Sequence, residues 1–204
     1  MIMWVYDAVA ASGLFDRVVV ATDDELIESR VKECGGDVMM TSADCSCGTQ
    51  RCEEVLSALE RAGECYDLVV NVQGDEPLIK KEQLEDVVSL FENGDCQIAT
   101  LAKKIESAED LFSPNCVKVV FAENRAIYFS RSVIPYLRGV EKEDYLKFAC
   151  HYKHIGLYAY RSEALHEVVR LPLSALEKAE SLEQLRWLEN GLRIFIKPTA
   201  FESF

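Results

Sequence analysis

The chain has 204 residues, and 35 Asp and Glu against 22 Lys and Arg give it a net charge of −13. Its 49% hydrophobic and 28% charged residues are the balance of a folded, soluble globular domain, and 10 Gly and 5 Pro leave no room for collagen-like or low-complexity architecture. No apolar run reaches the roughly 18 residues that span a bilayer, the opening Met1 to Gly13 carries Asp7 and lacks the basic start of a secretory signal, and the acidic surplus argues against binding nucleic acid polymers.

Arg17 to Ala21 is a continuous β-branched run, the pattern of a strand buried on both faces. Asp23 and Asp24 follow as cap candidates for a helix over Glu25 to Cys34, in which Ile27 and Val31 lie four apart. Gly35 and Gly36 stop that helix, and Asp37 to Met40 is a second short strand. Gln50 to Ala62 reads as an amphipathic helix with Val55, Leu56 and Leu59 on one side. Leu68 to Val72 is a third buried strand, closed by Gln73-Gly74-Asp75-Glu76-Pro77. A helix over Lys81 to Phe91 and a strand over Gln97 to Leu101 come next. Val117 to Phe121 and Ala126 to Phe129 read as consecutive strands around a turn at Asn124. Tyr136 to Phe148 is charged and carries no clear period, whereas His154 to Tyr160 alternates. Helices over Ser162 to Val169 and Ser181 to Asn190, a stop at Gly191 and a strand over Arg193 to Lys197 complete the chain. Strands separated by helices of this length predict βαβ units, one domain over 1–204 and a mostly parallel sheet.

In such sheets ligands bind beyond the carboxyl ends of strands, where two acidic pairs fall, Asp23-Asp24 and Asp75-Glu76. Gly74 permits a sharp turn, and Asp75 presents a hard oxygen donor of the kind Mg²⁺ takes, one or two at a time, beside substrate phosphates. A solvated turn is the plainer reading of the same residues. Eight cysteines include Cys45, Cys47 and Cys52, whose C-x-C-x4-C spacing invites zinc but has no matching distal Cys or His pair. Reduced, mostly apolar thiols in a cytoplasmic protein are the simpler account.

Taken together, several motifs resemble one family. Val20-Ala-Thr-Asp-Asp-Glu25, Met40-Thr-Ser-Ala-Asp44, Gly48-Thr49 with Arg51, Val70-Asn-Val-Gln-Gly-Asp-Glu-Pro-Leu-Ile79, Tyr128-Phe-Ser-Arg-Ser-Val-Ile-Pro135, His154 to Arg161 and Leu176 to Arg186 are similar, in order, to 3-deoxy-manno-octulosonate cytidylyltransferases. The resemblance spans essentially the whole chain. It implies a Rossmann-like α/β/α nucleotidyltransferase, a homodimer with a substrate-binding and dimerisation subregion near 115–160, cytoplasmic and without membrane insertion. The implied reaction joins CTP and the sugar acid Kdo to give CMP-Kdo and pyrophosphate for lipopolysaccharide assembly, with Mg²⁺ stabilising the phosphates.

By the same resemblance Asp75 is a metal ligand and, with Arg131, catalytic. Gly48, Thr49, Arg51 and Gln73 hold the nucleotide. Gln73, Arg131, His154, Tyr158, Glu183 and Gln184 form the sugar site. The residue types suit those roles: an arginine fork takes a carboxylate in bidentate fashion, and His154 and Tyr158, four apart on a strand, share a face.

The resemblance also implies differences. The family's opening strand, with its Pro-Ala-Arg-x-x-Ser-x-Arg-x-Pro-Gly-Lys phosphate loop, and a late metal-binding Gly-Val/Ile-Asp-Thr-Pro-Glu-Asp segment have no counterpart here. The expectation is therefore a sheet without its first strand and poor turnover of CTP by these residues alone. In the nucleotide loop Cys45 stands for His, Cys47 for Ser and Gln50 for an acid. Three other readings stay open: transfer of CMP to a related acid sugar, a non-catalytic fragment or pseudoenzyme that retains the sugar pocket, and a cysteine-rich metal module.

Overall fold

The computed structural model describes residues 1–202, apart from the side chain of Asn93. In chain order the elements are α1 (Ile2–Ala11), β1 (Val20–Thr22), α2 (Glu25–Glu33), β2 (Val38–Met40), α3 (Gly48–Arg61) and β3 (Leu68–Asn71). They continue with α4 (Lys81–Ser89), β4 (Ile98–Lys104), α5 (Ala108–Phe112), β5 (Lys118–Ala122), β6 (Arg125–Ser130) and α6 (Tyr145–Phe148). The last are β7 (Tyr152–Arg161), α7 (Ser162–Val168), α8 (Ala175–Glu180), α9 (Gln184–Glu189) and β8 (Ile194–Thr199).

Local chemistry explains most boundaries. Of the two aspartates after β1, Asp24 is the cap: its Oδ1 accepts the Leu26 and Ile27 N–H groups at 2.7 and 3.2 Å, contacts of a kind worth about 1 kcal/mol. The helix expected over Ser181 to Asn190 is shorter and has a neighbour. A capping box between Ser174 and Glu177 starts α8, Ser181 breaks out in the left-handed region at φ 52°, and α9 begins after Glu183. That break turns Leu182, Leu185 and Trp187 into the core.

The sheet is mixed rather than mostly parallel, which corrects the sequence reading. β1 pairs with β2 in parallel, and six further strands form the order β3-β7-β4-β8-β6-β5. β4 and β8 are parallel, but β7 runs antiparallel to β3 and β4, and β6 antiparallel to β5 and β8. The helix-strand alternation does give β3, β4 and β8 one common direction. What it hides is β7, which enters inverted between β3 and β4. A bulge between Thr100 and Leu101 leaves Gly156 and Leu157 of β7 without register partners. Thr100 Oγ1 lies 3.1 Å from the Ile155 carbonyl and 2.8 Å from that of Leu157, filling the bulge.

Two apolar layers sandwich the sheet. One contains Leu56, Ile98, Tyr160, Leu165 and Trp187, with Val69 packed against it. The other contains Val5, Val9, Leu84, Val87 and Ala159, with Leu68, Val70 and Val72 packed against it. α3 therefore covers one face of β3 and α1 the other. Between β1 and β3 a cavity of about 400 Å³ opens, with α1 and α3 as its walls.

Candidate active site

The upper rim of that cavity is built from the turn after β3 and the start of α3. β3 ends on buried Asn71, whose Oδ1 accepts from Gln73 Nε2 at 3.3 Å. Facing them is Gly48. A Cβ there would sit 3.1 Å from Asn71 Nδ2 and 3.4 Å from Gln73 Nε2, so glycine is what lets the helix start approach the amides. Three residues on, Arg51 donates to Thr41 Oγ1 at 2.8 Å and pairs with Asp23 at 3.0 Å, tying the 41–45 loop to the end of β1. Asp75 stands exposed at the tip of its turn, its carboxylate paired with no cation among the described residues.

Glu183, just before α9, links the start of α3 to the start of α9. Its Oε2 accepts from Thr49 Oγ1 at 2.8 Å, and its Oε1 accepts from Arg186 at 2.8 Å and from the Cys47 thiol at 3.3 Å. Burial first, and then the Glu183 charge, push the Cys47 thiol up. Cys45 donates instead to Glu54 Oε2 at 3.1 Å and is pushed up to about 11, chiefly by burial. Burial pushes Cys52 up to about 12. The three thiols thus serve different surroundings, and burial favours the protonated form of each.

On the adjoining stretch of β7, His154 and Tyr158 come together with ring centroids 5.2 Å apart. Thr100 Oγ1 lies 3.0 Å from His154 Nε2. Because the single hydroxyl proton of Thr100 goes to the bulge carbonyls, the imidazole Nε2–H donates to Thr100. Burial lowers His154 to about 3, so the ring is neutral. Tyr158 is only 8% exposed, and its hydroxyl has no hydrogen-bond partner among the described residues. Trp187 Nε1, in a T-shaped contact with the Tyr158 ring at 5.2 Å, is likewise unpartnered. Burial, and then the Glu183 charge, raise the Tyr158 phenol well above its ordinary value, keeping it a donor. Gln184 is buried beside Glu183 at the start of α9.

Arg131 is more committed than its type suggests. Its Nε donates to the Glu180 carbonyl at 2.7 Å, and its terminal nitrogens donate to the Pro114 and Ser181 carbonyls at 3.1 and 3.3 Å. Glu180 in return accepts the Arg131 N–H at 2.9 Å and the Ser130 hydroxyl at 2.6 Å. One N–H remains on each terminal nitrogen for a ligand. Asn71, Thr100, Glu180 and Trp187 are absent from the sequence-based set. Asn71 was accessible to it, because it precedes Gln73 by two and so shares its face; the other three carry no local signal.

The residues of this rim lie within a chain that is similar to known proteins along its length. A family model described as Cytidylyltransferase matches residues 1–194. A protein of Phocaeicola vulgatus named 3-deoxy-manno-octulosonate cytidylyltransferase is 54% identical over 198 residues, 95% of this chain and 77% of that one. Its namesake in Parabacteroides distasonis is 50% identical over 208 residues, covering 100% of this chain and 81% of the relative. A solved structure of CMP:2-keto-3-deoxy-manno-octonic acid synthetase complexed with CTP superimposes with a TM-score of 0.87 at 36% identity, over 99% of this chain and 79% of that one.

Proposed function

The chain belongs to the 3-deoxy-manno-octulosonate cytidylyltransferase family, and from that premise we propose that it transfers CMP from CTP to Kdo, releasing pyrophosphate, for lipopolysaccharide synthesis. The observation that carries the reading is the orphaned Tyr158 hydroxyl beside His154, on which the charge of Glu183 acts while Glu183 itself accepts from Thr49 at the start of α3. A buried donor without a partner costs about 1–3 kcal/mol, and a polyhydroxylated acid supplies the acceptor that offsets it.

In this reading Gly48, Thr49, Arg51 and Gln73 line the nucleotide side. Gln73, His154, Tyr158, Glu183 and Gln184 face the sugar. The two spare N–H groups of Arg131 address its carboxylate, and the backbone carbonyls they share the guanidinium with fix its plane. Neutral His154 is oriented through Thr100, and Thr49 is held by Glu183, so both rims are set before substrate arrives. The hydroxyl of the sugar acid attacks the α-phosphorus in line, with pyrophosphate leaving.

The free, exposed carboxylate of Asp75 is the hard oxygen donor that suits Mg²⁺, which would be held there together with the substrate's own phosphates. The ion when bound neutralises developing charge on those phosphates. The reading also includes a cytoplasmic homodimer formed through the 115–160 subregion, where Ile127, Tyr136 and Phe148 are 61%, 76% and 70% exposed. Among the described residues no helix is long and apolar enough to cross a membrane.

Pyrophosphate release with CTP, Kdo and Mg²⁺ tests the proposal. Release that requires both CTP and Kdo supports it; release with CTP alone, or equal release when another acid sugar replaces Kdo, contradicts it.

A further inference from the structure

α5 stops at Phe112 because Pro114 follows. The residue before a proline is driven out of the helical region, and Ser113 sits at φ −71° and ψ 125°. The loop from Ser113 to Val117 then carries the chain into β5, and the main chain ties both of its ends. The Ser113 N–H donates to the Glu109 carbonyl at 3.0 Å, and the Val117 carbonyl accepts the His154 N–H at 2.8 Å. Between these ties the Pro114 carbonyl accepts from a terminal nitrogen of Arg131 at 3.1 Å. Pro114 is exposed and has no N–H, so it offers no donor of its own to fix that stretch.

Lys118 fixes it from inside. It is the first residue of β5 and is 0% exposed, which is rare for a lysine. Its Nζ donates to the Ser113 carbonyl at 2.7 Å and to the Cys116 carbonyl at 2.5 Å, one before Pro114 and one beyond it. An ammonium is costly to take out of water. An apolar side chain of the same length would fill the space without that cost, but it would leave both carbonyls without this donor. The cross-strand neighbour of Lys118 is Ser130, which precedes Arg131 and whose hydroxyl donates to Glu180 at 2.6 Å. Burial lowers Lys118 below the ordinary lysine value; Cys116 and Glu180 oppose that, and the Arg131 charge adds to it, as expected of two cations that face one loop.

We propose that Lys118 is a positioning residue for Arg131: by gripping the loop on both sides of Pro114 it holds the Pro114 carbonyl against the guanidinium, and so fixes the plane in which the spare N–H groups meet a ligand carboxylate. The inference rests on the reading of Arg131 as the group that takes the carboxylate of Kdo. Lys118 is fully buried, so it acts through Arg131 rather than on the substrate.

Two variants test this: Lys118→Met, which keeps the length and removes the charge, and Pro114→Gly, which loosens the same carbonyl and leaves Lys118 in place. The readouts are the KM values for Kdo and CTP, and the NMR signals of the Arg131 Nη1 protons, assigned by their loss in Arg131→Ala. A small misplacement of a binding group is costly, and the KM for Kdo is expected to rise about tenfold in each variant while that for CTP stays within about twofold. Lys118→Met should add no more than about twofold to the KM for Kdo of Arg131→Ala. The Nη1 protons should give separate signals in the parent and merge in both variants. An unchanged KM for Kdo in Pro114→Gly, a joint rise of both constants, an undiminished effect of Lys118→Met on the Arg131→Ala background, or signals that stay separate would each overturn the inference. The signals do not depend on turnover, so a parent chain that makes no CMP-Kdo, with signals that merge in the variants, supports the positioning and refutes the proposed function. If Lys118→Met does not fold, Pro114→Gly carries both readouts.

Discussion

Thr49 and Glu183 stand 134 positions apart in the chain, yet the Thr49 hydroxyl donates to the Glu183 carboxylate at 2.8 Å. This contact holds the start of α3 to the start of α9, so the rim proposed for the nucleotide and the rim proposed for the sugar share one carboxylate. A carboxamide in its place keeps one oxygen acceptor and turns the other position into a donor, so of the Thr49 hydroxyl and the Arg186 guanidinium one loses its partner and both lose the charge. Hydrogen bonds to charged groups are worth about 1.5–3 kcal/mol, and Glu183→Gln is expected to lower kcat/KM about 10- to 100-fold. Steady-state pyrophosphate release checks this, with circular dichroism confirming that the fold persists.

Gly48→Ala places a methyl group against the Asn71 and Gln73 amides at 3.1–3.4 Å, where the neighbours must give way. The expected result is a KM for CTP raised about tenfold, since a shift of this kind costs on the order of 1 kcal/mol. The KM for Kdo should move less. A variant in which only the sugar constant changes would contradict the assignment of this rim to the nucleotide.

Tyr158→Phe removes a buried hydroxyl that has no hydrogen-bond partner among the described residues. Stability should therefore hold or improve by up to about 1 kcal/mol, while the KM for Kdo rises. Thermal unfolding and titration with Kdo read the two effects separately. A fall in Tm without any change in Kdo affinity would mean the hydroxyl serves the fold.

The two titrating histidines give opposite pH dependences. Burial lowers His154 from 6.5 to about 3 in the folded state, so between those values the unfolded chain binds more protons. Its contribution is fully present above pH 6.5 and is lost as pH falls, by about 1.4 kcal/mol per unit. His166 is lowered by burial but raised further by hydrogen bonds to Glu60 and Glu53, 3.1 and 2.9 Å away, and ends above 6.5. What it contributes is present below pH 6.5 and lost as pH rises through its raised value. Urea unfolding across pH should show a flatter acid limb in His154→Gln and a flatter limb above pH 6.5 in His166→Gln.

Asp75→Asn removes the negative charge from an exposed side chain that pairs with no cation among the described residues. Activity is expected to fall at least 100-fold while Tm stays within about 1 °C, since surface changes away from structural contacts are worth roughly ±0.5 kcal/mol. A chelator should abolish turnover by the parent chain, and Mg²⁺ should restore it. Undiminished activity in Asp75→Asn would remove this carboxylate from the metal site.

Much of the fold was legible because the strands announce themselves by β-branched runs and the helices by their stops. Asp24, Gly35 and the Leu56-Leu59 face behave as their spacing requires. The direction of β7 was not legible, because period-2 alternation from His154 to Tyr160 is the same whether a strand runs with or against its neighbours. Nor did the pattern reveal that Val18 to Val20 and Leu68 to Val70 border an open cavity, since a run describes side chains and not the occupancy of its edges.

Sequence also placed His154 and Tyr158 on one face but said nothing of Thr100, which reaches His154 only through the bulge in β7. Arg131 shows the converse limit. Its type suggests a free fork, and only the fold shows three of its donors held by backbone carbonyls.

The most direct test is the identity of the product. The chain is incubated with CTP, Kdo and Mg²⁺, and the mixture is analysed by mass spectrometry beside parallel reactions of Tyr158→Phe and Asp75→Asn. CMP-Kdo formed in step with pyrophosphate by the parent chain, and sharply reduced in both variants, is the predicted result. Pyrophosphate accompanied by free CMP and no CMP-Kdo, or CMP-Kdo formed equally by all three proteins, would contradict the site proposed for this chain.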